Sequence, residues 1–369
     1  MVLRHRARND NGNNSDGGVV VVQEEAVNNS SLLRRISGNI LLVGIILYSM
    51  FRGSEELPTI SSLSTTTENA IQTSSPAAWT SSHRIDCQKM VKDLENETDS
   101  GVFTEVNITT PSFFMNIHDP TKDQVSNEIY TKGCWECSHL KGMLQALSQY
   151  PNSYFLDIGG NIGMWTITAA MSNHLTFTIE ALSDNVERIC KSIERNSLYN
   201  LTNLMHIAAT SEPQTFRFNV PAGNIGGTSV IATTSTENNI TSPPEKESDH
   251  DIKVVNGVTI SSLKLPLDKP VVIKIDVEGH ELQALLGAID FLRDASIVYV
   301  MSELRSSLHS DARWNEIFDI FTMKGLKPYR INYEDETHLN VNDLTQWKHL
   351  KHPRVLYFDV AWRLDDFVV

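Results

Sequence analysis

The chain has few basic residues and few cysteines, and its most apolar segment is short. Its 31 lysines and arginines face 45 aspartates and glutamates, which gives a formal net charge of -14. Nucleic-acid binding calls for a basic face, so this balance argues against a nucleic-acid partner or substrate. The apolar block at 40–51, even with residues 36–39, is shorter than the ~20 residues of a comfortable membrane span.

The chain has only 4 cysteines, at positions 87, 134, 137 and 190. Cys134 and Cys137 have the spacing of a zinc or redox motif, but no second pair and no histidines at metal spacing accompany them, so zinc is not expected. In an oxidising compartment a disulfide among the first three cysteines is plausible. The simplest pairing joins Cys87 to Cys134 or to Cys137.

Against this background, residues 155–163 read Phe-Leu-Asp-Ile-Gly-Gly-Asn-Ile-Gly. An apolar strand runs into a glycine-rich turn and then into a helical pattern at 164–171. Such a turn lets the backbone approach a ligand closely at the start of a helix. The dinucleotide fingerprint Gly-x-Gly-x-x-Gly is not matched, because the residues here read Asp-x-Gly-x-Asn-x-Gly. Asn161 therefore stands where a positive φ is expected. Asparagine tolerates that conformation best after glycine.

Two carboxylates narrow the choice of cofactor. Asp157 opens the turn, where it would repel a pyrophosphate but would not repel a cationic sulfonium. The next predicted strand, 175–180, ends in Glu180, about 20 residues after the turn, which is the spacing of a ribose-binding acid. This pattern resembles the first motif of class I S-adenosylmethionine-dependent methyltransferases.

A second apolar strand begins at residue 270 and leads into Lys-Ile-Asp-Val-Glu-Gly-His-Glu at 274–281. Asp276 is predicted at the carboxyl edge of a central parallel strand, where open α/β sheets bind ligands. Leucines and isoleucines at helical spacing predict one helix over 282–292.

Together, the motifs at 157–163 and 274–281 resemble those of the FkbM family of methyltransferases. The resemblance covers roughly residues 153–310, and Asn196 and the turn at 226–229 also match. It implies an α/β class I methyltransferase fold, a seven-stranded Rossmann-like sheet with helices on both faces. It also implies O-methylation, often of sugar hydroxyls, with S-adenosylmethionine as cofactor.

The predicted site has a cofactor part and a catalytic part. The candidate cofactor-binding residues are Asp157, Gly159, Asn161, Gly163 and Glu180. For catalysis His280 is the candidate base, since a helix N-terminus favours the neutral imidazole.

Further acidic residues have alternative interpretations. Asp276 would orient the acceptor hydroxyl or bind a divalent cation with Glu278, but no metal is assigned. Glu278 and Glu281 are also explained by the helix dipole alone. Glu136 and Glu303 are further candidates for acceptor contact, although a solvated position is the commoner one for Glu136.

The amino-terminal region predicts a membrane-bound enzyme. Residues 1–35 are interpreted as a cytosolic tail, 36–52 as a signal-anchor and 53–83 as a Ser/Thr-rich stem. Basic residues before the apolar block favour a type II orientation with the catalytic region in the lumen of the Golgi or endoplasmic reticulum. Cleavage as a signal peptide and an organellar transit peptide are the alternatives.

The remaining regions complete the expected organisation. A cap at 84–150 contains a strand at 113–118 and a helix at 138–147, and the methyltransferase domain spans 151–369. Residues 232–251 read as a surface loop, and 327–333 and 355–363 as the last two strands, the second an edge strand. Glycosylation sequons fit a lumenal domain; they begin at asparagines 96, 107, 200 and 239.

We therefore expect a methyltransferase that modifies a hydroxyl of a glycan or another secretory-pathway metabolite. One rival is a small-molecule methyltransferase in another compartment. The other is an inactive protein that keeps the fold as a scaffold. Neither the acceptor nor the oligomeric state follows from the sequence.

Overall fold

The structure is a computed structural model that describes residues 82–94, 101–220, 229–231, 251–305, 313–331, 336–338 and 357–367. All of them belong to one compact unit that spans Ser74–Val369. The predicted tail, anchor and nearly all of the stem lie outside the described residues, as does the surface loop over 232–250. None of the helices in the described ranges has both the length and the apolar character that a bilayer span requires.

The main sheet has the order β13-β12-β14-β11-β10-β3-β4-β5. The five neighbouring strands β5, β4, β3, β10 and β11 run parallel to one another. The other three, β14, β12 and β13, form antiparallel pairs. The strands are β3 (Tyr154–Ile158), β4 (Thr176–Glu180), β5 (Thr202–His206), β10 (Pro270–Ile275), β11 (Ser296–Arg305), β12 (Lys327–Ile331), β13 (Glu336–His338) and β14 (Tyr357–Arg363).

Two smaller sheets accompany it. A hairpin pairs the cap strands β1 and β2, and a four-stranded sheet has the order β6-β9-β7-β8. Their strands are β1 (Val102–Val106), β2 (Phe113–Ile117), β6 (Ala208–Ala209), β7 (Gln214–Val220), β8 (Ser229–Ile231) and β9 (Asp251–Val258).

Helices cover both faces of the main sheet, as predicted. They are α1 (Cys87–Asp93), α2 (Gln124–Lys132), α3 (Cys137–Gln149), α4 (Met164–Met171), α5 (Ser183–Arg195), α6 (Glu281–Leu286), α7 (Ile289–Asp294) and α8 (Arg313–Met323), with a 3-10 turn at Ile260–Leu263.

The core forms two apolar layers because successive strand side chains point to opposite faces. Leu156 of β3 packs with Leu285 and Trp314 on one face. Its neighbour Phe155 packs with Ile167 and Ile189 on the other. All five residues of β3 are buried, as expected for a central parallel strand.

Three expectations about elements need correction. The helix predicted over 282–292 is two helices, α6 and α7, which meet at Gly287 and Ala288. Gly287 lies against the backbone of Thr210 too closely for a side chain. The last strand is not at the edge, since β14 lies between β11 and β12. The sheet has the seven expected strands and, beyond them, the short edge strand β13.

One disulfide does join two of the first three cysteines, but Cys87 pairs with neither Cys134 nor Cys137. Cys87 is bonded to Cys190, and Cys134 to Cys137. The chain entering α1 pairs with β5, since the backbone N–H of Ile85 donates to the carbonyl of Leu204 at 2.8 Å. This pairing lays α1 beside α5 and brings Cys87 to Cys190, 103 positions away.

Candidate active site

The glycine-rich turn lies between β3 and β10, at the point where the strand order of the parallel sheet reverses: β4 and β5 lie on one side of β3, and β10 and β11 on the other. In open α/β sheets ligands bind beyond the carboxyl ends of the strands at this point. Gly159 has φ +88° and lies so close to the carbonyl oxygen of Asp276 that a Cβ would collide with it. Asn161 has φ 49°, which confirms the expected positive φ. Gly163, at φ 91°, is the residue before α4.

Glu180 ends β4 and lines the cleft above this turn. Its Oε2 accepts the backbone N–H of Asn161 at 2.8 Å, and its Oε1 accepts the backbone N–H of Leu182 at 2.8 Å. Asn185 also donates to Oε1, at 3.2 Å. Burial raises the pKa of Glu180 to about 7, against the lowering effect of these hydrogen bonds. The carboxyl group is therefore held in one orientation at the edge of the cleft.

Asp157 occupies a different place from the one predicted. Its side chain is completely buried and does not line the cleft. Thr166 Oγ1 donates to Asp157 Oδ2 at 2.6 Å, and Lys274 Nζ lies 3.9 Å from Oδ1. Burial raises the pKa of Asp157 despite these contacts. Any effect of Asp157 on a bound cofactor thus passes through its neighbours.

Lys274 connects the two sequence motifs. Its buried Nζ donates to the carbonyl oxygen of Gly159 at 2.8 Å and lies 3.3 Å from Asp276 Oδ2. Burial opposes its charge, but Asp276 and Asp157 outweigh this effect and raise the pKa of Lys274. This role of Lys274 was not foreseen, because it depends on which face of β10 the side chain occupies.

Asp276, Glu278 and His280 all line the cleft. They lie in the turn after β10, not on the strand itself, and Glu278 adopts a positive φ of 54°. The His280 ring packs edge-on against Phe216 at a centroid distance of 5.3 Å. Burial lowers the pKa of His280, so burial favours the neutral ring that was expected from the helix dipole. Its Nε2 is enclosed and has no hydrogen-bond partner among the described residues.

The opposite wall of the cleft is apolar, and sequence reasoning did not identify it. Phe216 and Phe218 of β7 lie stacked with centroids 6.2 Å apart and face the cleft from the four-stranded sheet. Leu182 and Ile207 join them. The cleft has an empty volume of about 810 Å³, which includes open solvent at its mouth. A large flat group fits such a wall while polar groups meet the carboxylates opposite.

Beyond Asp276 the site becomes strongly acidic. Glu303 of β11 lies directly across from Asp359 of β14 in the strand register. Burial, followed by the charge of Asp276, raises the pKa of Glu303 to about 8 and that of Asp359 to about 6. The same two effects raise the pKa of Glu136, the residue before α3, to about 8. The candidates Glu136 and Glu303 are thus close to the site, and Asp359 was not foreseen.

These features agree with the comparison to known families. The model of the methyltransferase FkbM domain matches residues 157–324. The chain carries an FkbM methyltransferase domain. It is accordingly an S-adenosylmethionine-dependent methyltransferase, and the matched residues include the glycine turn, Glu180, the 274–281 segment and Glu303.

Solved structures resemble this chain only distantly. Precorrin-6y C5,15-methyltransferase from Geobacter metallireducens GS-15 is 12% identical with a TM-score of 0.30, over 61% of this chain and 87% of that one. TYW2 from M. jannaschii, solved in complex with AdoMet, is 11% identical with a TM-score of 0.35, over 72% of this chain and 86% of that one. No curated protein matches the sequence. The family assignment rests on the domain match alone.

Proposed function

We propose that this enzyme transfers the methyl group of S-adenosylmethionine to a hydroxyl group of a glycan or another secretory-pathway metabolite. The observation that carries the proposal is the cleft in which Glu180 and Asp276 face one space across the glycine turn. A carboxylate that ends the second parallel strand suits two ribose hydroxyls, because each is a hydrogen-bond donor. Asp276 supplies negative charge near the sulfonium, and Phe216 and Phe218 offer a surface for the adenine ring.

In the proposed reaction the acceptor oxygen attacks the methyl carbon in line with sulfur. The O–C bond forms as the S–C bond breaks, and the electron pair of that bond stays on sulfur as a neutral thioether. The hydroxyl proton must leave, and His280 is the proposed acceptor of that proton. Asp276 and Glu278 would orient the acceptor.

Calorimetry on the full 369-residue chain tests the cofactor part of the proposal. S-adenosylmethionine is expected to bind at sub-millimolar concentration. Glu180→Gln should remove this binding, and Glu194→Gln, a change at an exposed glutamate of α5, should leave it intact. If the folded protein bound no S-adenosylmethionine, the scaffold interpretation would replace the enzyme.

His280→Ala separates binding from turnover. We expect this variant to bind S-adenosylmethionine as the parent does and to transfer the methyl group roughly 100-fold more slowly, the usual contribution of a positioned base. Full activity in the variant would contradict the role of His280. The acceptor itself should emerge from mass spectrometry of glycans and metabolites in cells that lack the protein, as a missing methyl group.

The compartment is part of the same proposal. Two disulfides are typical of a protein from an oxidising compartment. Asn107 and Asn200, which begin two of the sequons, are exposed. We propose a single-pass type II protein of the Golgi or endoplasmic reticulum with its catalytic domain in the lumen. Enzymatic deglycosylation should lower its apparent mass, and a chain without glycan on any sequon would exclude the lumenal model.

A further inference from the structure

Three carboxylates converge where the cofactor cleft meets the acidic part of the site. They belong to Asp276 in the turn after β10, Glu281 in the first turn of α6 and Glu303 in β11. One oxygen of each lies within 4.8 Å of the other two. A hard divalent cation binds oxygens at about 2.0–2.6 Å, so its ligand oxygens lie roughly 3–5 Å from one another. The three side chains therefore have the spacing of ligands on one ion.

Glu281 provides an independent indication that this spacing serves a ligand. Its side chain is completely buried. Oε1 accepts the backbone N–H groups of Gly279 at 2.8 Å and of Val277 at 3.2 Å. Oε2 is enclosed and has no hydrogen-bond partner in the described part of the chain. Burying a carboxylate oxygen without a partner is costly, so a helix-capping role accounts for one oxygen of Glu281 and not for the other.

The charges around the three carboxylates point the same way. The four groups with the largest electrostatic effect on Glu303 are all carboxylates: Asp276, Glu278, Asp359 and Glu281. Lys274 lies nearby, but its Nζ is engaged with Asp157, the carbonyl of Gly159 and Oδ2 of Asp276. One lysine shared in this way does not balance so many acidic groups at close quarters.

We propose that Asp276, Glu281 and Glu303 bind a hard divalent cation, Mg²⁺ or Mn²⁺. Carboxylate oxygens are the ligands that such ions prefer, and three of them leave coordination positions for other oxygens. Asp276 also lines the cleft, so the ion stands between the cofactor part of the site and the acidic part. The role of the ion, which rests on the proposed function, is to bind the acceptor oxygen as a Lewis acid. This binding eases loss of the hydroxyl proton.

Manganese binding tests the proposal without any need for an acceptor. Mn²⁺ is titrated into the full 369-residue chain, and free Mn²⁺ is followed by electron paramagnetic resonance. About one ion per chain is expected, and Glu303→Gln should weaken the affinity for Mn²⁺ at least tenfold. Even mutation of a residue that only hydrogen-bonds a metal ligand lowers metal affinity about 10- to 100-fold. Glu281→Gln keeps an acceptor for the two backbone N–H groups and should weaken it likewise. Asp290→Asn, at a side chain that is 82% exposed, is the control that keeps parental affinity.

S-adenosylmethionine binding, measured on the same samples, separates the two proposals. Loss of Mn²⁺ binding in Glu303→Gln with cofactor binding retained supports the cation site and shows that the variant is folded. If the parent chain bound the cofactor but no Mn²⁺, the cation site would be overturned and the proposed function would stand. Protons shared among the carboxylates would then balance their charge. Equal Mn²⁺ affinity in parent and both glutamine variants would overturn the ligand assignment. A chain that binds Mn²⁺ but no cofactor would support the site and contradict the proposed function.

Discussion

Glu180 shows how a single side chain couples burial to ligand binding. Burial raises its carboxyl pKa to about 7, even though three hydrogen-bond donors hold it in place. A raised pKa means that the charged form is disfavoured in the folded protein. The stability that this group contributes is therefore present below its unfolded pKa and is lost as the pH rises through about 7. Cofactor hydroxyls that donate to the carboxylate favour the charged form instead.

The first prediction follows from this opposition. Because the charged carboxylate is the better acceptor, affinity for S-adenosylmethionine should fall as the pH is lowered, by roughly tenfold between about pH 8 and about pH 6 for a group with this pKa. Calorimetry across this range measures the effect, and Glu194→Gln should follow the parent. An affinity independent of pH would show that the ionisation of Glu180 does not matter to binding.

Some properties of single residues could be predicted from the sequence and others could not. The positive φ of Asn161 follows from local geometry and is confirmed. The burial of Asp157 was not foreseen, because its contacts with Thr166 and Lys274 come from other elements of the fold. Nor does a run of letters reveal Asp359, which reaches the site through the pairing of β14 with β11.

At the scale of elements, the approach of the glycine turn to β10 controls the cleft. Gly159 lies against the backbone of Asp276, so the turn after β3 and the turn after β10 touch without any side chain between them. Asp276 N–H donates to the carbonyl of Ile158 at 3.0 Å and ties the two strands at this point. The two turns that line the cleft therefore meet at one close contact.

The second prediction concerns Gly159→Ala. The added methyl group must separate the two turns and also sits at a positive φ, so we expect loss of cofactor binding and a free energy of unfolding lower by about 1–3 kcal/mol or more. Calorimetry and denaturant unfolding measure the two effects. Gly133→Ala is a matched control, because Gly133 has φ +81° with nothing within 4 Å of its would-be Cβ. Equal effects of the two substitutions would assign the whole effect to backbone conformation.

The pattern of apolar residues predicted most helices and strands, because each of them buries a regular set of positions. The strands β3, β4 and β10 are apolar runs that the sheet buries on both faces, and each was expected from the sequence. Strand β14 was wrongly expected at the edge of the sheet, because its alternation of apolar and polar residues suggests that one face is exposed to solvent. Its polar positions are instead satisfied inside the protein: Asp359 faces the acidic site, and Arg363 lies 3.8 Å from the centre of the Tyr329 ring.

For the molecule as a whole, the disulfide between Cys87 and Cys190 fastens α1 of the amino-terminal cap to α5, a helix that packs on the main sheet. It closes a loop of 103 positions, whereas the bond between Cys134 and Cys137 spans only 3. Restricting the unfolded chain stabilises the folded state more when the closed loop is longer. The sequence could not reveal this pairing, because it depends on how α1 packs against α5.

The third prediction compares the two bonds. Replacing Cys87 and Cys190 together with alanine should lower the free energy of unfolding by up to about 4–5 kcal/mol, as the long loop implies. The Cys134 and Cys137 double variant serves as the comparison and should lose clearly less. Both values come from denaturant unfolding under non-reducing conditions. A larger loss in the second pair would mean that packing around the cysteines outweighs loop closure.

The position of β14 also sets an order for the assembly of the protein. It lies between β11 and β12 although it follows both along the chain. During synthesis the strands that flank the cofactor cleft emerge long before residue 357, so the cofactor half can form while the facing edges of β11 and β12 stay open. An open strand edge invites pairing with other chains. Ribosome-arrested chains that end before residue 357 are expected to aggregate on release, and those that include Arg363 to stay soluble. The growing enzyme thus most needs shielding by chaperones at the stage when its first half is already built.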